Sequence, residues 1–225
     1  MQTAALDSAR SLPRGKKVAL AAAGADVQGR ARHLYDLPSS ERWDDPPPPE
    51  KREWQQYRVI PKIAYAFRLG LGAGAQLDVI GFNAVGIGVG LKWQLIGGQD
   101  GLFALALGGR ATASAFGEGE TGDSGRIAEL AAQAMVHLSL HPTPRVDLYA
   151  APTLLAERLS HTITREDIDA STVVTARAVG SGAGAVAWIS PAVGLVVEVT
   201  ALRFTAEDER RSWLTTAMLG WLQRL

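Results

Sequence analysis

Few residues in this 225-residue chain have the types and spacing that nucleophilic chemistry needs, and His137 and Ser139 are the clearest pair. On an extended strand, residues separated by one position lie on the same face, so this imidazole could activate this hydroxyl. A working site would also need an orienting carboxylate and a positioned substrate. We predict that both side chains point inward near a turn at Pro142, which favours a structural role.

A second candidate group is His161 with Asp167 and Asp169, which could form a protease or metal site in a loop. A solvated charged loop is the favoured interpretation. The chain has no cysteine, which excludes thiol nucleophiles and Cys-ligated zinc, and it has no zinc-protease or calcium-loop motif. Glycine-rich stretches at 86–90 and 180–184 are not followed by a helical pattern, so they do not predict a nucleotide site. We therefore expect no metal and no cofactor.

Charged residues recur at alternate positions inside apolar runs, and we predict that they share one interior. Such groups must pair or be hydrated, so a salt-bridge network that fills a narrow barrel is one interpretation. Many neighbouring inward positions carry only Gly or Ala, which leaves room for an aqueous pore, an inward-folded loop or a partner segment. The predicted network comprises Lys62, Lys92, Arg110, Glu129, Glu157, Arg177 and Glu198.

The element that must position these side chains is best seen in the hairpin over 84–116, where large and small residues alternate without a break. A soluble sandwich would bury the large side chains, but here the opposite face is too small to fill a core. A strand with lipid on one side and a lumen on the other has this pattern. Its apolar face carries Val85, Ile87, Val89, Leu91, Trp93 and Leu95.

Similar alternation predicts about ten antiparallel strands after a lead of residues 1–14, with the barrel occupying 15–225. The first strand, 17–27, has an Ala-rich helix as its alternative. Pro152 inside a strand predicts a bulge. Short turns near 70–74, 97–101, 141–145 and 190–191 oppose polar loops at 28–57, 117–126, 160–172 and 205–211.

The loop over 28–57 contains four consecutive prolines, which no sheet can absorb. It is a candidate partner-binding loop, although its aromatic residues could equally anchor it at a membrane interface. The residues concerned are Trp43, Pro46, Pro47, Pro48, Pro49 and Trp54.

Composition narrows the function further. Lysine plus arginine and aspartate plus glutamate number 23 each, so the charge balance does not predict a nucleic-acid partner. No apolar run is long enough for a spanning helix, so any membrane crossing must use strands. The first residues lack an apolar signal core, and we expect that an export signal precedes this numbering.

Over nearly its whole length after Gly15, the chain resembles small bacterial outer-membrane β-barrel proteins. Gly220, five residues before the terminal Leu225, is similar to the assembly signal of that class, although an aromatic residue usually stands at the end. The entry from Gln2 to Lys16 is similar to that of surface barrels made as lipoproteins, but it contains no cysteine. The His137-x-Ser139 spacing resembles the pair of outer-membrane lipid A deacylases.

The resemblance implies a closed, all-β, antiparallel up-and-down transmembrane barrel in the bacterial outer membrane, with long extracellular loops, short periplasmic turns and a periplasmic lead. We expect a non-enzymatic structural or partner-binding component of an envelope assembly. Its partners would be outer-membrane lipid and other envelope proteins or a plug segment in the lumen. The alternatives are a narrow porin-like channel for small solutes and a lipid hydrolase that uses His137 and Ser139. A soluble lipocalin-like barrel is the structural alternative.

Overall fold

The computed structural model of the protein describes residues 6, 8–29, 57–83, 86–97, 101–120, 123–165, 168–206 and 211–225. Ten β-strands make up nearly all of this part of the chain. They are β1 (Lys17–Gly29), β2 (Tyr57–Gly72), β3 (Ala75–Phe82), β4 (Gly86–Ile96), β5 (Phe103–Glu120), β6 (Asp123–Thr143), β7 (Val146–Arg165), β8 (Ile168–Trp188), β9 (Val193–Ala206) and β10 (Arg211–Arg224).

The ten strands form one closed antiparallel barrel in which each strand pairs with its sequence neighbours. β1 closes the barrel by pairing with β10, with Ala22 opposite Gly220 in the ladder. Closure gives every strand a partner strand on both sides, which is what a sheet surrounded by hydrocarbon requires. The predicted fold class and strand number are confirmed, and the Ala-rich helix alternative for the first strand is wrong.

Side chains of β4 alternate between the two faces of the barrel wall. On β4, Ile87, Leu91 and Trp93 are 61%, 58% and 62% exposed, whereas Lys92 between them is only 3% exposed. The glycines at 86, 88 and 90 lie on the buried face with Lys92. On β4, large apolar groups therefore look outward and small or charged groups look inward, which is the reverse of the pattern in a soluble lipocalin-like barrel. The described residues contain no helix long and apolar enough to cross a membrane.

The two ends of the barrel differ in their connections. At the end that we call the short-turn end, Ala73–Gly74 joins β2 to β3 and Pro144–Arg145 joins β6 to β7. At the opposite end, the predicted loops at 117–126 and 160–172 are wrong, because β5 and β6 continue to Glu120 and from Asp123, and β7 and β8 continue to Arg165 and from Ile168. Ladder hydrogen bonds satisfy the backbone there although the side chains are polar, so polarity alone did not mark where the strands end.

Two further predictions concern proline. Pro152 does not produce a bulge, since the register is the same on both sides of it: Met135 lies opposite Thr153, and Leu138 opposite Ala150. The missing N–H falls at an interruption of the β6–β7 ladder instead. The Pro-rich loop, with Trp43, Pro46 to Pro49 and Trp54, lies outside the described residues.

Candidate functional site

The lumen contains six of the seven charged residues that were predicted to share it. Lys62, Lys92, Arg110, Glu129, Glu157 and Glu198 are between 1% and 7% exposed. The prediction that Arg177 faces the lumen is wrong, because this residue lies on the exposed outer face of β8 while Ala176 and Ala178 face inward. Both faces of β8 carry small residues in this stretch, so side-chain size did not reveal which face was buried.

Inside the lumen, Lys62 and Glu198 have close polar partners. Lys62 Nζ lies 2.7 Å from the carboxylate of Asp26, which also accepts a hydrogen bond from Thr216. The carboxylate of Glu198 accepts hydrogen bonds from the Tyr149 and Thr200 hydroxyls, each at 2.7 Å. These contacts satisfy charges that would be costly to bury alone.

The chain's own N-terminal segment occupies part of the lumen. We use this name for the described residues 6 and 8–12, which belong to the predicted lead. Leu6 is 1% exposed and Ala9 0% exposed, and Ser8 and Ser11 are also buried. Ala9 packs against Ala104 and Ala106 of β5, both 0% exposed. The small inward side chains therefore make room for a peptide.

Side chains of the barrel wall hold the backbone of this segment, and the Arg10 side chain of the segment donates to the Gly101 carbonyl and lies 3.8 Å from the Asp147 carboxylate. Glu198 accepts from the Leu6 N–H and Arg68 donates to the Leu6 carbonyl. Lys92 Nζ donates to the carbonyls of Ser8 at 2.8 Å and Arg10 at 2.9 Å. Ser139, Gln94 and Gln76 accept from the N–H groups of Ala9, Ser11 and Leu12 at 3.2, 2.8 and 3.2 Å, respectively.

Where the segment leaves the lumen, its backbone lies directly against the backbone of the wall. A Cβ atom on Gly70 of β2 would lie 2.1 Å from the Pro13 carbonyl oxygen and 2.5 Å from that of Leu12. Only glycine allows the two backbones to approach this closely. Gly15 and Lys16 then pair with the backbone of Gly70, which directs the chain into β1.

Close to Ala9, three side chains form a relay of hydrogen bonds. Ser139 Oγ lies 2.8 Å from His141 Nε2, and His141 Nδ1 contacts the Asp147 carboxylate directly. Ser139 and His141 are two residues apart on β6 and therefore share a face, while Asp147 follows on β7 after the tight turn at Pro144–Arg145. Ser139 and His141 are 3% and 5% exposed.

The structure joins Ser139 to His141 rather than to His137, the histidine with which its spacing pairs it in the sequence. His137 is also buried and on the same face, but the relay uses His141. The sequence does contain a signal for this relay. Ser139 and His141 are also two residues apart, and Asp147 follows just beyond a Pro-containing turn. The other predicted group, His161 with Asp167 and Asp169, cannot be placed, because Asp167 and the side chains of the other two lie outside the described part.

A cavity of about 490 Å³ opens at the short-turn end of the lumen. Its wall includes Ser8 and Arg10 of the segment and Asp147 of the relay. Arg224 also lines it and stacks 3.7 Å from the ring centre of Trp188. Within the described residues, no cluster of three or more His, Asp or Glu side chains could hold a metal ion.

No protein-family model matches this chain, and no curated protein is similar to it in sequence. Among solved structures, it is similar to the outer membrane protease OmpT from Escherichia coli, with a TM-score of 0.55 and 9% identity over 97% of this chain and 100% of that one. It also matches the attachment invasion locus protein Ail of Yersinia pestis, with a TM-score of 0.42 and 14% identity over 94% of this chain and 99% of that one. At this identity, the likeness to OmpT shows the fold, which is that of an outer-membrane β-barrel.

Proposed function

We propose that this chain is an integral barrel of the bacterial outer membrane that is closed by its own N-terminal segment and serves as a structural or partner-binding component of the envelope. The observation that carries the proposal is the set of at least seven backbone groups of the segment, from Leu6 to Leu12, that the lumen wall holds. A pore lined for solutes would not direct so many wall side chains at one peptide.

The outward face supports the membrane location. Among the exposed large hydrophobic residues are Val197 and Val199 on β9 and Leu219 and Trp221 on β10, each between 49% and 62% exposed. Leaving this much apolar surface in water would be unfavourable, whereas acyl chains solvate it.

The lengths of the strands support the partner-binding role. β5, β6, β7 and β8 contain 18, 21, 20 and 21 residues, whereas β3 has 8 and β4 has 11. A tilted membrane-spanning strand needs about 9–11 residues. These four neighbouring strands therefore extend well past the bilayer at the end opposite the short turns, as a raised wall that a partner protein could contact.

The lipid A deacylase-like alternative receives less support from this geometry. Ser139 and His137 are each 3% exposed and face the lumen, away from the lipid on which such an enzyme would act. The proposed role of the closed barrel needs no catalysis.

Conductance of the purified protein in a planar lipid bilayer tests the closed lumen. We expect the native chain to show no discrete openings, while its heat-modifiable mobility in gels reports an intact barrel. Ala9→Trp should open the lumen, since a large side chain at a fully buried position displaces the segment. Ala111→Trp, on the exposed outer face of β5, is the matched control. Stable openings of the native protein would overturn the proposal in favour of the porin-like channel.

Crosslinking in intact cells tests the partner-binding role. A photoreactive residue at Thr162, which is exposed on the extended part of β7, should form an adduct with another protein. The same group at Val199, on the apolar outer face of β9, should react with lipid instead. Equal protein adducts at both positions, or none at Thr162, would contradict a partner at the raised wall.

A further inference from the structure

The relay of Ser139, His141 and Asp147 has the connectivity of an acyl-transfer triad. A hydroxyl contacts one ring nitrogen of a histidine, and a carboxylate contacts the other. Such a carboxylate holds the imidazole in the tautomer that can accept the hydroxyl proton and stabilises the imidazolium that forms. All three residues lie on the two strands of one hairpin, β6 and β7, so the barrel positions them rigidly.

We propose that these three residues are a serine nucleophile, its general base and the residue that orients the base, and that the N-terminal segment covers them in the closed barrel. The substrate class is an extended peptide that replaces the segment. This proposal goes beyond the closed, partner-binding barrel proposed above and concerns a second activity, which appears when the segment is displaced.

The contacts of the segment show how a peptide would lie against the nucleophile. The Ala9 N–H is 3.2 Å from Ser139 Oγ, and the preceding carbonyl, that of Ser8, accepts a hydrogen bond from Lys92 Nζ at 2.8 Å. Because a peptide C–N bond is about 1.33 Å long, the Ser8 carbonyl carbon lies within about 4.5 Å of Oγ. A carbonyl group therefore already sits beside the nucleophile with a cationic donor on its oxygen, the position in which developing negative charge is stabilised.

The same contacts explain why the segment itself is not cleaved. Its N–H donates to Ser139 Oγ, so Oγ lies near the plane of that peptide group and on its nitrogen side. Attack on a carbonyl requires an approach from above that plane. The N–H also uses a lone pair of the hydroxyl oxygen that would have to form the new bond. The segment in this pose is an occupant, not a substrate.

When a peptide carbonyl lies above Oγ, the peptide bond can be hydrolysed, with water as the second reactant. The Oγ–C bond forms, the hydroxyl proton moves to His141 Nε2, and the carbonyl electron pair moves to its oxygen, beside Lys92. The C–N bond then breaks as His141 returns the proton to the leaving amine. Water, deprotonated by the same histidine, hydrolyses the acyl-serine, which gives a carboxylic acid and regenerates Ser139.

A purely structural relay that anchors the segment would show the same hydrogen bonds, so the test must measure reactivity. A fluorophosphonate reagent forms an Oγ–P bond with an activated serine and releases fluoride, and it needs no knowledge of the natural substrate. The full-length protein carrying Ala9→Trp exposes the site, and intact mass with peptide mapping locates the label. Heat-modifiable mobility confirms that each variant is a folded barrel.

We expect Ala9→Trp to be labelled at Ser139 at least tenfold faster than the native chain. Adding Ser139→Ala or His141→Ala should abolish the labelling, and adding Asp147→Asn should slow it strongly. Adding Ser114→Ala, which changes another buried lumen serine, should leave it unchanged. Absence of label at Ser139 in folded Ala9→Trp, or a rate that does not change with His141→Ala, would overturn the proposal. Conductance of Ala9→Trp reports displacement of the segment independently, so failure of this proposal is distinguishable from failure of the closed lumen.

Discussion

Lys92 is the side chain whose removal should release the N-terminal segment most directly. Its ammonium group donates to the carbonyls of Ser8 and Arg10 at 2.8 and 2.9 Å. Hydrogen bonds from charged groups contribute about 1.5–3 kcal/mol each, so two of them favour the bound segment by about 3 kcal/mol even at the lower value. Lys92→Met keeps a side chain of similar length while it removes both bonds. Since 1.4 kcal/mol corresponds to a factor of ten, we expect the fraction of released segment to rise about 100-fold.

A thiol reporter can measure this change, because the chain contains no cysteine. Ala9→Cys places a single thiol at a position that is 0% exposed and packed against Ala104 and Ala106. A polymer-linked maleimide can then react only while the segment is out of the lumen. When release and return are fast, the labelling rate is proportional to the released fraction, so it should rise by the same factor of about 100.

Lys17→Met is the matched control, since Lys17 is an exposed lysine at the start of β1. In the Ala9→Cys background it should label at the rate of the parent protein. If folded Lys92→Met labels within about threefold of Lys17→Met, the wall contacts do not hold the segment, and the reasoning behind the closed lumen is refuted.

Three further predictions concern the barrel itself. Lys62→Met leaves Asp26, whose side chain is only 13% exposed, without its 2.7 Å cation and should lower the free energy of unfolding in detergent by about 3 kcal/mol, whereas Lys62→Met with Asp26→Leu should recover much of the loss; equal instability of both would contradict the ion-pair argument. Val199→Lys on the outer face should cost about 2–4 kcal/mol of folding free energy in lipid vesicles, while Val199→Leu should cost little, and a tolerated lysine would argue against lipid at that face. Gly70→Ala places a Cβ atom 2.1 Å from a backbone oxygen of residue 13 and should accelerate labelling of Ala9→Cys, whereas Gly109→Ala, whose nearest neighbour would be 3.8 Å away, should not; equal rates would show that the close approach at Gly70 does not position the segment.

Much of the fold follows from local pattern alone. In β4, the alternation of Ile87, Val89 and Leu91 with glycines predicts both the strand and the face that meets lipid, since successive side chains on a strand must point to opposite sides. Where the alternation weakens, as around Arg177 in β8, the same reasoning assigned the wrong face. The polarity of stretches such as 160–165 predicts a loop, whereas the ladder with β8 keeps them in a strand.

The site depends on contacts that no local pattern contains. The alternation places Lys92 inside the barrel, but its partners Ser8 and Arg10 are more than 80 positions away in the sequence. Ser139 and His141 share a face by spacing alone, yet Asp147 reaches the histidine only because the turn at 144–145 folds β7 back beside β6. Period-two alternation determines which residues face the lumen, and closure of the barrel around the N-terminal segment determines which of them meet, because hydrogen-bond partners are set by distances across the lumen rather than along the chain.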